Sequence, residues 1–150
     1  MKTTLIGHPL LSYDEVTSTN DILKELAVRG AEDGTTVLAR SQTRGRGRRG
    51  RKWESAPGKG ILMSVLLKPD ISAADAGWLA VLGGLAVVRA LEQFELKNLS
   101  LKWPNDVLAG GRKIAGILTE PRIGDGRIEF AVVGIGVNLA QGAGDWSDSL

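Results

Sequence analysis

Four stretches of this 150-residue chain have residue types and spacing suited to handling a charged ligand. The first is "SQTRGRGRRGRKW", Ser41 to Trp53, which holds six cations, three glycines and no acid. Gly45, Gly47 and Gly50 free the backbone to approach a ligand and to offer N–H groups to an anion, while the arginines between them are planar forks matched to carboxylate and phosphate. The same composition serves arginine/glycine arms that hold nucleic acid, and the stretch alone leaves both readings open. The second is "KWPND", Lys102 to Asp106, in which Pro104 fixes a turn that displays Asn105 and Asp106. An amide and a carboxylate there could orient phosphate-bound Mg²⁺, although a plain β-turn uses the same residues.

The third stretch is "RKIAGIL", Arg112 to Leu118, where Lys113 opens a strand and would project its ammonium from a rigid element. A solubilising edge lysine is the simpler alternative. Fourth is "VVGIGVN", Val132 to Asn138, with Gly134 and Gly136 inside an apolar strand. A dinucleotide fingerprint needs a further glycine at position 139, which is Leu139, so that reading fails; the two glycines still imply close approach of a ligand or another backbone.

The elements that must position these residues are read from periodicity. "LLSYDEV" (Leu10 to Val16) reads as a strand, followed by a helix that Ser18 or Thr19 can cap, with Ile22, Leu23, Leu26 and Ala27 on one face and Gly30 as its stop. Strands over Thr35 to Gln42 and Gly60 to Pro69 flank the basic stretch, which places it in a loop. Ser72 to Phe94 reads as a helix, with Gly83 and Gly84 implying close packing. Strands follow at Leu99 to Trp103, Lys113 to Pro121 and Ile128 to Leu139, with turns at Ala109 to Arg112 and Ile123 to Arg127. This order predicts one α+β domain: a mixed, largely antiparallel sheet with the helices packed on one face.

Composition narrows the function classes. With 43% hydrophobic and 24% charged residues the chain is expected to be globular. The absence of cysteine excludes disulfides, a thiolate nucleophile and cysteine metal sites. The N-terminal stretch is unlike a signal peptide, and the apolar run Trp78 to Val88 falls short of the roughly 20 residues of a membrane span, so it reads as a buried helix in a cytoplasmic protein with no membrane partner. Net charge is +2, yet removing the six loop cations leaves 13 Lys and Arg against 17 acids, or −4. Basicity confined to one loop between strands disfavours a duplex-binding face.

In this order and spacing, "STN", "GRGRRGRKW", "KWPND", "KIAGIL" and "GIGVN" resemble the successive motifs of the biotin protein ligase family, from about Thr17 to Leu139. The resemblance implies the sheet of the class II aminoacyl-tRNA synthetase and biotin ligase type. It implies an ATP-dependent, AMP-forming reaction in which biotin becomes biotinyl-AMP and is passed to a lysine of a biotin carboxyl carrier protein. It places Ser18, Thr19, Asn20, Gln42, Gly45, Arg46, Gly47, Arg48, Lys113, Gly116, Gly134 and Gly136 at biotin, the last three as walls where a side chain would intrude on it. Arg46, Arg48, Trp53, Asn105, Asp106 and Asn138 fall to ATP, with Trp53 stacking on adenine and Asp106 serving Mg²⁺; Lys113 and Arg48 are the catalytic candidates.

The basic loop, rich in repelling cations, is expected to stay open until an anion arrives. Residues 1 to 150 are expected to form the catalytic domain, short at the C-terminal end, without the DNA-binding domain that precedes it in repressor-type members or the SH3-like domain that follows. DNA binding is therefore not expected, and a homodimer is left open. The alternatives are a fragment that binds biotin without transferring it, a lipoate ligase, and an arginine/glycine nucleic-acid module.

Overall fold

The computed structural model describes residues 5–140. Their elements run β1 (Leu10–Val16), α1 (Thr19–Val28), β2 (Thr36–Gln42), β3 (Gly60–Leu67), α2 (Gly77–Glu92), β4 (Leu99–Lys102), β5 (Asp106–Ala109), β6 (Arg112–Gly124) and β7 (Arg127–Asn138). The expectation of a short C-terminal end concerns residues outside those described. Seven strands form one sheet in the order β1-β2-β3-β7-β6-β5-β4. β1 pairs parallel with β2, which requires the crossover that α1 supplies, and the other pairings among the described residues are antiparallel.

α1 forms where the apolar spacing predicts it, and Leu23 and Ala27 are buried. Its end is closed by Gly30 at φ 95°, with Gly30 N–H donating to the Ala27 carbonyl and Ala31 N–H to that of Leu26. Ser18 takes the N-cap position, but neither it nor Thr19 caps the helix through its side chain. The hairpin between β6 and β7 turns on Asp125 and Gly126, both at positive φ, as the Gly-Asp-Gly signal predicts.

The α+β class and the mixed, mostly antiparallel sheet are as expected, whereas the helices do not share one face. Along β7, Phe130 and Val132 pack with Leu23 and Ala27 of α1, while Ala131 and Val133 pack with Leu79, Val87 and Leu91 of α2. Side chains alternate across a strand, so the two helices lie on opposite faces. Each fully buried side chain such as Leu23 or Leu66 contributes about 2 kcal/mol to holding its layer.

The second helix also departs from expectation. It begins at Gly77 after a separate 3₁₀ turn at Ala73–Asp75, and it is not buried all round. Ala73–Glu92 spans 20 residues with hydropathy 1.5, which by length and composition alone would suffice to cross a membrane. Its inner stripe is committed to the sheet: a Cβ on Gly83 would stand 3.3 Å from Ile117, and one on Gly84 would overlap Leu101. Those glycines let the helix settle close. The outer stripe leaves Trp78, Leu82 and Leu85 exposed.

β5 is a strand that the sequence reading did not identify, with Asp106 and Ala109 at its ends placed in turns. It has four residues, too few for a periodic signal, and its existence depends on β4 and β6 pairing on either side of it.

Candidate functional site

The sheet face that carries α1 also carries a cavity of about 640 Å³. Its floor follows from register: Leu62 stands opposite Gly136, Ser64 opposite Gly134, and Gly116 opposite Gly136, which places two rows of small residues side by side. The beginning of α1 closes one side. Asn20 fills the space above Gly134, where a Cβ would overlap its amide, so that glycine is required by Asn20. Ser64, fully buried, donates to Asn20 Oδ1 at 2.5 Å and is within 2.7 Å of Thr19 Oγ1. Gln42 Oε1 at the end of β2 accepts from Thr19 N–H at 2.7 Å and from its hydroxyl at 3.1 Å. The floor is therefore a bonded set of short polar side chains, with Ser18 lining beside it.

The basic loop forms the roof. Gly47 N–H donates to the Arg51 carbonyl at 2.7 Å and Trp53 N–H to that of Gly45 at 3.1 Å, which folds the loop on itself. Arg48 Nη1 donates to Asn105 Oδ1 at 2.9 Å, and Arg46 Nη2 lies 2.9 Å from Asp21 and 2.5 Å from Glu120. Arg46 and Arg48, two of the six loop cations, are thus taken up by acids and an amide on neighbouring elements.

Trp53 turns inward and lies on the glycine row. A Cβ on Gly116 would come within 2.8 Å of its ring, and one on Gly136 would overlap the indole. These glycines thus make room for Trp53 while lining the cavity. The indole Nε1 is buried against Gly136 without a hydrogen-bond partner among the described residues. Lys113 Nζ stands 5.4 Å from the ring centroid.

Lys113 reaches this face because β6 is irregular. Val107 pairs with Ala115 but Leu108 pairs with Lys113, leaving Ile114 as the extra residue of a bulge. In a regular strand Lys113 would share the face of Ala115 and Ile117, which pack under α2; the bulge turns it toward the cavity. It also lies on an interior strand, so the edge-lysine alternative does not hold. Its Nζ is 2.8 Å from Asp106 Oδ1, an ion pair not aligned as a hydrogen bond.

Of the residues singled out in the sequence, Ser18, Thr19, Asn20, Gln42, Arg46, Gly47, Arg48, Trp53, Asn105, Lys113, Gly116, Gly134, Gly136 and Asn138 line this cavity. Two do not. Gly45 lines the outer hollow beside the loop, where a Cβ would overlap the Trp53 carbonyl, so it shapes the loop. Asp106, paired in register with Gly116, is on the cavity side of the sheet and is engaged by Lys113. Asn105 is buried, with its amide donating to the Ile117 carbonyl at 3.1 Å, so its free acceptor serves Arg48.

The sequence reading passed over Ser64 and Glu120. Ser64, a lone hydroxyl inside "GILMSVLL", was the available signal for the first. Glu120 differs from Gly116 and Leu118 by even numbers, so it shares their face, but only the packed structure shows what it meets.

Five cations, Arg46, Arg48, Arg51, Lys52 and Lys113, line the cavity against one acid, Glu54. Such a lining is suited to a ligand with a polar head on the floor and an anionic end beneath the roof. It offers no metal cage: among the described residues no three His, Cys, Asp or Glu come together, and Asp106 is already paired. The Mg²⁺ expected at Asp106 is one carried by phosphate, which needs one or two carboxylates and no protein cage.

A family model described as the biotin/lipoate A/B protein ligase family matches residues 13–138. The chain is 40% identical over 150 residues to the bifunctional ligase/repressor BirA of Bacillus subtilis and 42% identical over 129 residues to the biotin–[acetyl-CoA-carboxylase] ligase of Mycobacterium tuberculosis. The matches cover 100% and 83% of this chain but 46% and 47% of those proteins, so it spans about half their length. Among solved structures it is similar to the biotin protein ligase of Aquifex aeolicus in complex with biotin and ATP, with TM-score 0.70, 40% identity and coverage of 88% of this chain and 53% of that one. It is also similar to that of Leishmania major in complex with biotin, with TM-score 0.72, 30% identity and coverage of 89% and 57%. A match over most of the chain, joined to a sheet that assembles the same motifs round one cavity, establishes that the chain belongs to the biotin/lipoate A/B protein ligase family.

Proposed function

We propose that this chain carries the active site of a biotin protein ligase. The observation that carries this reading is the cavity itself: a bonded polar floor, an inward tryptophan and a cationic roof meet where a bulge delivers Lys113. In the first step an oxygen of the biotin carboxylate attacks the α-phosphorus of ATP, and the bond to pyrophosphate breaks. In the second, the amine of a carrier lysine attacks the acyl carbon, AMP leaves with the bonding electron pair, and the amine's proton passes to solvent.

The residue types suit those steps. Thr19, Asn20 and Gln42 meet the ureido head, while Arg48 and Lys113 screen the approach of one anion to another and hold the attacking oxygen in line. Trp53 presents a stacking face to adenine and Asn138 an amide edge. Magnesium reaches the site on the polyphosphate, where Asn105 and Asp106 serve it. Biotin is favoured over lipoate by the "GRGRRGR" loop and by the names of the relatives. The reading includes a carboxyl carrier as partner and the cytoplasm as location; it includes no DNA contact, because charge outside the loop is −4.

The test is incubation with biotin, ATP and Mg²⁺ while pyrophosphate and biotinyl-AMP are followed, with calorimetry of biotin alone in parallel. Release of both products supports the ligase. Biotin binding without either product establishes instead a fragment that binds but does not activate, and failure to bind biotin defeats the reading.

A further inference from the structure

Glu120 has no part in the chemistry above, yet it joins the cavity floor to the loop. It lies on β6 opposite Val132, on the face of α1 and the cavity. Its Oε2 accepts from Asn20 Nδ2 at 2.7 Å and from Arg46 Nη2 at 2.5 Å, and its Oε1 accepts from Lys24 Nζ at 3.2 Å. Asp21 closes the ring, 3.0 Å from Lys24 Nζ and 2.9 Å from Arg46 Nη2. Two acids and two bases thus alternate without excess charge, at side-chain exposures between 25% and 37%. Partial burial strengthens such charge-assisted bonds beyond those of a fully wet pair, though water still screens them.

We propose that Glu120 is a positioning residue that couples the orientation of Asn20 on the cavity floor to closure of the basic loop through Arg46. One carboxylate oxygen serves both partners. A ligand that turns the Asn20 amide therefore changes the bond that holds the loop, and lifting the loop changes the field at Asn20; by linkage the two effects are equal. Arg48 is anchored on a different element, at Asn105, so the Arg46 end can release by itself. The proposal takes from the ligase reading only the identity of the ligand.

The experiment compares the full chain as wild type, Glu120→Gln, Arg46→Gln and the double variant. Glutamine keeps an acceptor for Asn20 while removing the charge. Tryptic cleavage after Arg44, Arg48, Arg49, Arg51 and Lys52, bonds present in all four proteins, is timed by mass spectrometry without ligand, and biotin affinity is measured by calorimetry. Each single variant is expected to be nicked about fivefold to tenfold faster, and the double no faster than either single. Glu120→Gln is also expected to bind biotin about threefold to tenfold more weakly. Biotin should slow nicking of the wild type more than of Glu120→Gln. A merely structural Glu120 would lower the unfolding midpoint and leave the two effects additive, which overturns the proposal, as does unchanged nicking in the single variants. Should Glu120→Gln fail to fold, Arg46→Gln decides alone, since its side chain is on the loop. If the wild type binds no biotin the ligase reading falls, and nicking still decides the latch.

Discussion

Gly116 and Gly136 stand opposite each other on β6 and β7, and the Trp53 indole lies across both. A side chain on either would push the ring into the cavity. The glycine pair is thus the seat of an aromatic that comes from the loop, and it ties the roof to the sheet.

Gly136→Ala is accordingly expected to displace Trp53. Overpacking of this kind costs about 1–3 kcal/mol, and ATP affinity should fall about tenfold or more as the stacking face tilts. Calorimetry with ATP, beside a urea melt, checks both; unchanged affinity would show that Trp53 does not meet the nucleotide.

Ser64→Ala removes the hydroxyl that bonds Thr19 and Asn20 at the centre of the floor. Leaving buried polar partners unsatisfied should cost about 1–3 kcal/mol, with weaker biotin binding as Asn20 loses its fixed orientation. Denaturant melts and biotin titration read the two effects separately.

Lys113→Ala is expected to reduce adenylate formation about 100-fold or more, because it removes a cation aimed at developing charge. Its ion pair with Asp106 is partly exposed, so the cost to stability should stay within about 1 kcal/mol. Pyrophosphate release from a variant with a near-normal melt is the measurement, and undiminished release would remove Lys113 from the reaction.

Asn105→Ala should behave differently from a ligand contact. It strips the Ile117 carbonyl of a donor and Arg48 of its anchor, so about 1–3 kcal/mol of stability is lost and the loop near Arg48 is freed. Replacement by Asp keeps an acceptor for Arg48 but not the donor to Ile117. Restored adenylate retention in Asn105→Asp would separate the two duties.

The elements legible in the sequence were those with a full period. β1 matched residue for residue, and α1, β3 and β7 came within a few residues, because each carries an apolar pattern bounded by polar or glycine punctuation. β5 was not legible, since four residues carry no period and their strand character comes from neighbours far along the chain. The side on which α2 packs was equally closed to inspection: its composition is apolar on most sides, and only the residues it meets, Ile117 and Val133, fix its face.

Sequence alone determined the residue types of the site: a cationic, glycine-punctuated loop between strands, a Trp at its end, and glycines spaced to share a face of β7. These are covalent facts of order and parity, and they suffice to predict an anion clamp over a sheet. Tertiary structure decided which groups the clamp engages. The bulge at Ile114 turned Lys113 from the α2 face to the cavity, and folding brought Glu120, 74 residues from Arg46, within hydrogen-bonding distance of it. A one-residue shift in pairing reverses the direction of every side chain beyond it, and ion pairs form by proximity in space, so neither outcome is written in local order.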